Sequence, residues 1–243
     1  MSIPLTLFAK ASKIKNMKII AFDTSTKFLC VAVWEEQRLC EYSIETGRLL
    51  STLLSLHLDR ILKAMQWKIG DIDYFTCGVG PGSFTGLRIG LAAMKGLAFS
   101  LKKPVIPVSS LDILAHNAAK SLEKNLIIAP VIDAKRGMVY TSFYKVVDGK
   151  IKRPSSYQLL PKEEFIKKLN KVPTAFCGDG LAVYQEDIRR KLGELALFMD
   201  KDYWHPRCRG LIQIALDKIN AGEISDAKKI LPLYLYPQDC QVK

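Results

Sequence analysis

Apolar residues recur at spacings of 3, 4, 3, 4 and 3 through Phe84, Leu87, Leu91, Met94, Ala98 and Leu101. That spacing predicts one face of a helix over residues 83–101. A second face of the same stretch carries Gly86, Gly90, Ala93 and Gly96, which lets another backbone approach closely. Arg88 and Lys95 supply the one polar stripe, so the helix is expected to be covered on two sides. Glycines inside a helix cost about 1 kcal/mol each relative to alanine, and close packing must offset them. Residues 48–65 repeat the theme. Leu50, Leu54, Leu58, Ile61 and Met65 mark one side, while Leu49, Leu53 and Leu56 widen the apolar surface beyond a single stripe.

Around these helices the pattern alternates between strands and helices. Strands are predicted over residues 17–23, 28–34, 38–45, 72–79, 125–133, 138–147 and 174–178, with a further strand after an Asp148-Gly149 turn. Helices are predicted over 109–121, 161–169, 181–192 and 211–219. Between the strand at 72–79 and the long helix, Gly80, Pro81 and Gly82 turn the chain, and Ser83 is placed to cap the helix. Such a turn has two readings. It can cradle a phosphate at the positive end of the helix, or it can be a structural turn. The stretch lacks the Gly-Lys-Ser/Thr ending of a P-loop and any Gly-x-Gly-x-x-Gly, which favours the structural reading.

The sequence strand, Asp, tight turn, strand pair occurs twice, with Asp23 and Asp133 in equivalent places. Two ribonuclease-H-like lobes would give this arrangement, an α/β fold of the actin-like ATPase and sugar-kinase type. The N-terminal lobe is expected over 17–107 and the C-terminal lobe over 108–243, with a C-terminal helix able to return to the first lobe. Residues 1–16 are expected to be a disordered extension preceding a natural start at Met17.

With 243 residues and 49% apolar content, the chain can bury a sizeable core. It has no apolar run of membrane-spanning length, so no membrane association is expected. The six cysteines show neither Cys-x-x-Cys nor metal-ligand spacing, and the three histidines are scattered, so no metal site is expected. Cys30 and Cys77 read as small buried residues, which fits a reducing cytoplasmic setting. The net charge of +12 could assist contact with nucleic acid, but the basic residues are dispersed and read as solvated faces.

The stretch Gly80–Gly90 (GPGSFTGLRIG), followed by Lys95-Gly96-Leu97-Ala98, resembles the signature of the TsaB (YeaZ) family. Its signature residues here are Gly80, Pro81, Gly82, Ser83, Phe84, Thr85, Gly86, Arg88 and Gly90. IIAFDTST, DID, SSLDILA, DAKRGMVY, GDG and LPLYL follow the family's order, so the likeness spans about residues 17–236. The resemblance implies a non-catalytic partner of the transferase TsaD, joined by the ATPase TsaE. Together they attach a threonylcarbamoyl group to the adenosine beside the anticodon of ANN-decoding tRNAs. It implies contact with tRNA through the complex, a homodimer when the partner is absent, and ATP only within the complex. Asp23, Thr24 and Asp133 would be degenerate phosphate-loop positions. Thr24 stands where catalytic relatives carry glycine, and Leu50-Ser51-Thr52 stands where the family usually has a His-Ser pair. The paired histidines that hold metal in the catalytic subunit are absent from this sequence.

Leu53, Leu56, Phe84, Leu87, Arg88, Leu91 and Met94 are the candidates for the partner surface. The competing reading is an ATP-dependent or glycoprotease-like enzyme of the same fold. A tRNA-binding module, resting on charge alone, is a third.

Overall fold

In β1 (Lys18–Asp23) and β2 (Phe28–Glu35), every second residue turns to the same side, yet both sides are buried. Ile20 and Phe22, with Leu29, Val31 and Val33, enter one apolar layer. Ile19 and Ala21, with Cys30, Ala32 and Trp34, enter another. A sheet this apolar on both faces has to be covered on both. The computed structural model, which describes residues 16–36, 38–122, 126–147 and 150–236, shows what covers it.

β3 (Arg38–Glu45) pairs antiparallel with β2, and a helix α1 (Leu50–Met65) follows it. β4 (Tyr74–Gly78) lies parallel to β1. After helix α2 (Phe84–Ser100), β5 (Val105–Val108) lies parallel to β4. The order is therefore β3-β2-β1-β4-β5. Helices α1 and α2 cover the Ile20–Phe22 face through Leu54, Leu58, Ile61, Leu91, Met94 and Ala98.

The second sheet follows α3 (Ser110–Ala119) and is built from β6 (Ile127–Asp133), β7 (Met138–Thr141), β8 (Tyr144–Val147), β9 (Lys150–Lys152) and β10 (Gln158–Pro161). After α4 (Lys162–Lys168) come β11 (Thr174–Cys177), α5 (Leu181–Leu192), β12 (Ala196–Phe198) and finally α6 (Cys208–Ala221). Its main order is β10-β7-β6-β11-β12, again two antiparallel pairings followed by two parallel ones. The two sheets repeat one topology, and β1 and β6, the strands ending in Asp23 and Asp133, hold equivalent central places. Helices α4 and α5 cover one face of the second sheet, and α3 covers the other. The last helix, α6, returns to the first sheet, where Cys208, Leu211, Ile212 and Ala215 close the Ile19–Ala21 face. Helices α3 and α6 also pack on each other, so the order of layers is α1/α2, first sheet, α6/α3, second sheet, α4/α5.

One strand expected over 138–147 is two. Pro130 in β6 has no N–H to donate. Opposite it, Ser142 leaves the ladder and turns its hydroxyl to Ser155 and Ser156. Short β10 and β12 carry no pattern that predicts them. The extension at 1–15, the Asp148-Gly149 turn and the tail beyond 236 lie outside the described residues.

Past α6 the chain forms an extended strap. Ser225 pairs with Val105 and covers the free edge of β5. Lys95 donates to the Ile230 carbonyl at 2.8 Å, and the Leu233 N–H donates to the Val79 carbonyl at 2.7 Å. The Tyr234 ring lies tilted against Phe84 at 5.3 Å between centres, and the Tyr236 hydroxyl donates to the Ala134 carbonyl of the second lobe at 2.9 Å.

Candidate functional site

The turn at Thr24–Thr26 lies against the N-terminal half of α2. Ser83 caps the helix by accepting the Gly86 N–H at 3.2 Å, and its own N–H donates to the Ser25 carbonyl at 2.7 Å. A Cβ at Gly86 would overlap the Thr24 carbonyl oxygen, and one at Gly90 would overlap the Thr24 hydroxyl. That hydroxyl donates to the Gly86 carbonyl at 2.9 Å. Gly86 and Gly90 thus form a groove that Thr24 fills, whereas Gly96 is open on the outer side.

Asp23 is 2% exposed. Its carboxylate accepts the Ser25 N–H at 2.9 Å, the Ser25 hydroxyl at 2.7 Å and the Ser110 hydroxyl at 3.2 Å. Burial pushes the carboxyl above its ordinary range, opposed by the Ser25 and Ser110 hydrogen bonds. The Ser110 N–H donates to the Gly80 carbonyl at 2.8 Å, so Asp23, the signature turn and α3 form one connected joint. Asp23 and Thr24, expected as degenerate phosphate-loop positions, are both covered by the chain's own turn and helix.

Asp133 differs. It ends β6 at the rim of an open cavity of about 410 Å³ lined by Lys135, Arg136, Lys162, Tyr184 and Asp187. Burial alone would raise its carboxyl. The Lys135 ammonium at 2.6 Å and the Lys135 N–H at 2.9 Å outweigh that and hold it below its ordinary value. Beside it Asp179 accepts the Asp133 N–H at 3.2 Å, and burial pushes the Asp179 carboxyl up to about 6. The Gly178-Asp179-Gly180 loop thus braces β6 from behind the cavity.

The partner-surface candidates divide by face. Leu87, Leu91 and Met94 are 1%, 5% and 0% exposed and pack into the core, a correction to their expected role. The 3-4 spacing marks the inner stripe of α2, and its outer stripe is Phe84, Arg88, Ala92, Gly96 and Phe99. Phe84 is 42% exposed, with the Arg88 guanidinium 3.9 Å from its ring centre. On α1, Leu56 is exposed and Leu53 half-buried. Leu49 and Phe99, 61% and 59% exposed, enlarge this apolar face; the sequence reading placed Leu49 on the widened apolar surface of α1 but did not single out Phe99. Ala92 and Gly96, spaced like Arg88 on the same stripe, were the signal available for it.

Two lobes of repeated topology, with the first phosphate-type loop filled from within, define a member of the actin-like ATPase and sugar-kinase fold. The family model described as TsaD, tRNA N6-adenosine threonylcarbamoyltransferase, matches residues 45–239, and the chain belongs to that family. Several of its relatives are named as TsaB proteins. The chain is 29% identical to the tRNA threonylcarbamoyladenosine biosynthesis protein TsaB of Bacillus subtilis over 93% of this chain and 97% of the relative. For TsaB of Escherichia coli the identity is 26% over 90% and 94%. YeaZ from Pseudomonas aeruginosa superposes with a TM-score of 0.79 at 29% identity, covering 90% of this chain and 100% of that one. The TsaB (YeaZ) resemblance drawn from the signature stretch is borne out. Among the described residues, no helix is long and apolar enough to cross a membrane.

Proposed function

We propose that this chain is the non-catalytic partner of a TsaD-type transferase in N6-threonylcarbamoylation of the adenosine next to the anticodon of ANN-decoding tRNAs. One observation carries this reading. The loop that would hold metal and nucleotide in the first lobe is filled by Thr24 and α2, while the outer faces of α1 and α2 expose aromatic and aliphatic side chains. Burial of such a face against similar helices of a homologous lobe gives a four-helix contact. The same face lets two copies pair when the transferase is absent. A TsaE ATPase joins the pair, ATP binds only within the assembly, and tRNA is met through the assembly. The work is cytoplasmic.

The test is light scattering on mixtures of the chain with its TsaD paralogue. Leu53→Arg and Phe84→Glu are expected to abolish pairing while the circular dichroism of each variant stays native. Intact pairing in both variants overturns this surface. An enzyme reading would replace the partner role if the isolated chain hydrolysed Mg–ATP and Asp133→Ala abolished it, since Asp133 borders an open cavity whereas Asp23 is buried.

A further inference from the structure

On the side of the first sheet away from α1 and α2, three metal-ligand side chains converge from distant parts of the sequence. Cys30 projects from β2, Glu41 from β3, and Cys208 is the first residue of α6. One sulfur of each cysteine and one carboxylate oxygen all lie within 4.8 Å of one another. Cys30 and Cys208 are 1% and 0% exposed, and the Glu41 side chain is 14% exposed, which leaves it as the entry side. The Cys30 thiol donates to Glu41 Oε1 at 2.9 Å. The Cys208 N–H lies 2.8 Å from that oxygen and 3.1 Å from the Cys30 sulfur, and the Cys208 thiol points to the Ala21 carbonyl at 3.6 Å. The Arg207 guanidinium is 3.4 Å from the same Glu41 oxygen.

We propose that Cys30, Glu41 and Cys208 form a zinc site that fastens α6 to the first sheet, with water on the fourth position. This inference is independent of the partner role. Tetrahedral zinc with sulfur at about 2.3 Å and oxygen at about 2.1 Å separates its ligands by about 3.5–3.8 Å. The three ligand atoms lie within 4.8 Å of one another, and the Cys30–Glu41 pair, at 2.9 Å, has to open by less than about 1 Å to meet that spacing. Two thiolates select zinc over calcium or magnesium, which take oxygen ligands. Charge closes as well. Two thiolates and a carboxylate carry three negative charges, against two on the ion and one on Arg207, so the buried group is neutral overall. The Cys208 N–H, at the start of α6, then donates to a sulfur as an outer hydrogen bond. Binding replaces two thiol protons, which leave to solvent.

The experiment uses the full chain, freed of metal by chelator and kept reduced. Cobalt(II) serves as the spectroscopic probe and zinc as its competitor. The expected result is one cobalt per chain, thiolate-to-cobalt charge-transfer absorption, tetrahedral visible bands, and loss of all of them on adding zinc. Cys30→Ser and Cys208→Ser each lower the charge-transfer absorption to about half or less, the double variant removes it, and Cys240→Ser keeps it in full. If either serine variant fails to fold, Glu41→Gln retains the side-chain volume, removes the anionic ligand and is expected to weaken zinc binding by at least about tenfold. No charge-transfer absorption from the folded, reduced chain overturns the proposal. So does absorption that is undiminished in Cys30→Ser or persists in the double variant, or a Cys30–Cys208 disulfide in the oxidised chain without metal uptake in the reduced one.

Discussion

Gly86 and Gly90 leave room for different parts of Thr24, and the difference is measurable. At Gly90 an added methyl meets the Thr24 side chain; at Gly86 it meets the Thr24 backbone oxygen. Alanine gains about 1 kcal/mol in helix propensity, but overlap in a packed joint costs about 1–3 kcal/mol or more. Gly90→Ala should therefore destabilise in urea unfolding, and Thr24→Ala should restore part of the loss. Gly86→Ala should destabilise without any such rescue. Equal stability of Gly90→Ala and the parent would remove the groove from the account. A second residue-scale consequence concerns acid. Asp179 titrates near 6 in the folded chain against 3.8 ordinarily, so the unfolded chain releases this proton first. Its contribution to stability is thus favourable at low pH and is lost as pH rises from 3.8 to about 6, by at most about 3 kcal/mol. Asp179→Asn, which can still accept the Asp133 N–H, should flatten the stability profile across that window. Asp133, held below its ordinary value, has the opposite sign and loses its contribution only as pH falls through its lowered value.

At the scale of elements, α2 shows what a hydrophobic pattern can and cannot specify. The 3-4 spacing from Phe84 to Leu101 located the helix within a residue at either end, and α5 was legible to its bounds. The same spacing could not say which of two apolar faces turns inward, because sheet and partner both select apolar residues. Burial answers it: Leu91→Ala should cost about 2–5 kcal/mol in urea unfolding, and Leu56→Ala about 0.5 or less. A cost at Leu56 as large as at Leu91 would remove the assignment of inner and outer faces, and a reversed order would mean that they are exchanged. Where the sequence misled, a non-local partner decided the outcome. Pro130 splits the strand after residue 141, and short β10 and β12 take their extended form from ladders with β7 and β11. The closed first loop was half legible, since Thr24 already stood where close approach to phosphate calls for glycine. That Thr24 would fill a groove on α2 depended on a contact between residues 24 and 90, which no local pattern contains.

For the whole molecule, the duplicated topology could be read from two aspartates and their turns, and a C-terminal helix able to return to the first lobe was part of the same reading. Helix α6 is 14 residues of ordinary amphipathic pattern, and which strands it covers depends on contacts that no local pattern contains. Ending the chain at Arg207 would strip the cover from Ile19, Ala32, Trp34 and Ile106. Such a truncation should bind dyes of apolar surfaces and lose cooperative thermal unfolding, rather than leave an intact first lobe. A truncation that melts cooperatively would show that α6 is dispensable. The strap has a different consequence. It is anchored on the first lobe at Val79 and α2 and on the second lobe at Ala134, while α6 joins the lobes from another side. Two ties along separate lines restrain how the lobes turn on each other. In the proposed assembly, a partner would therefore meet a template with less left to order on binding.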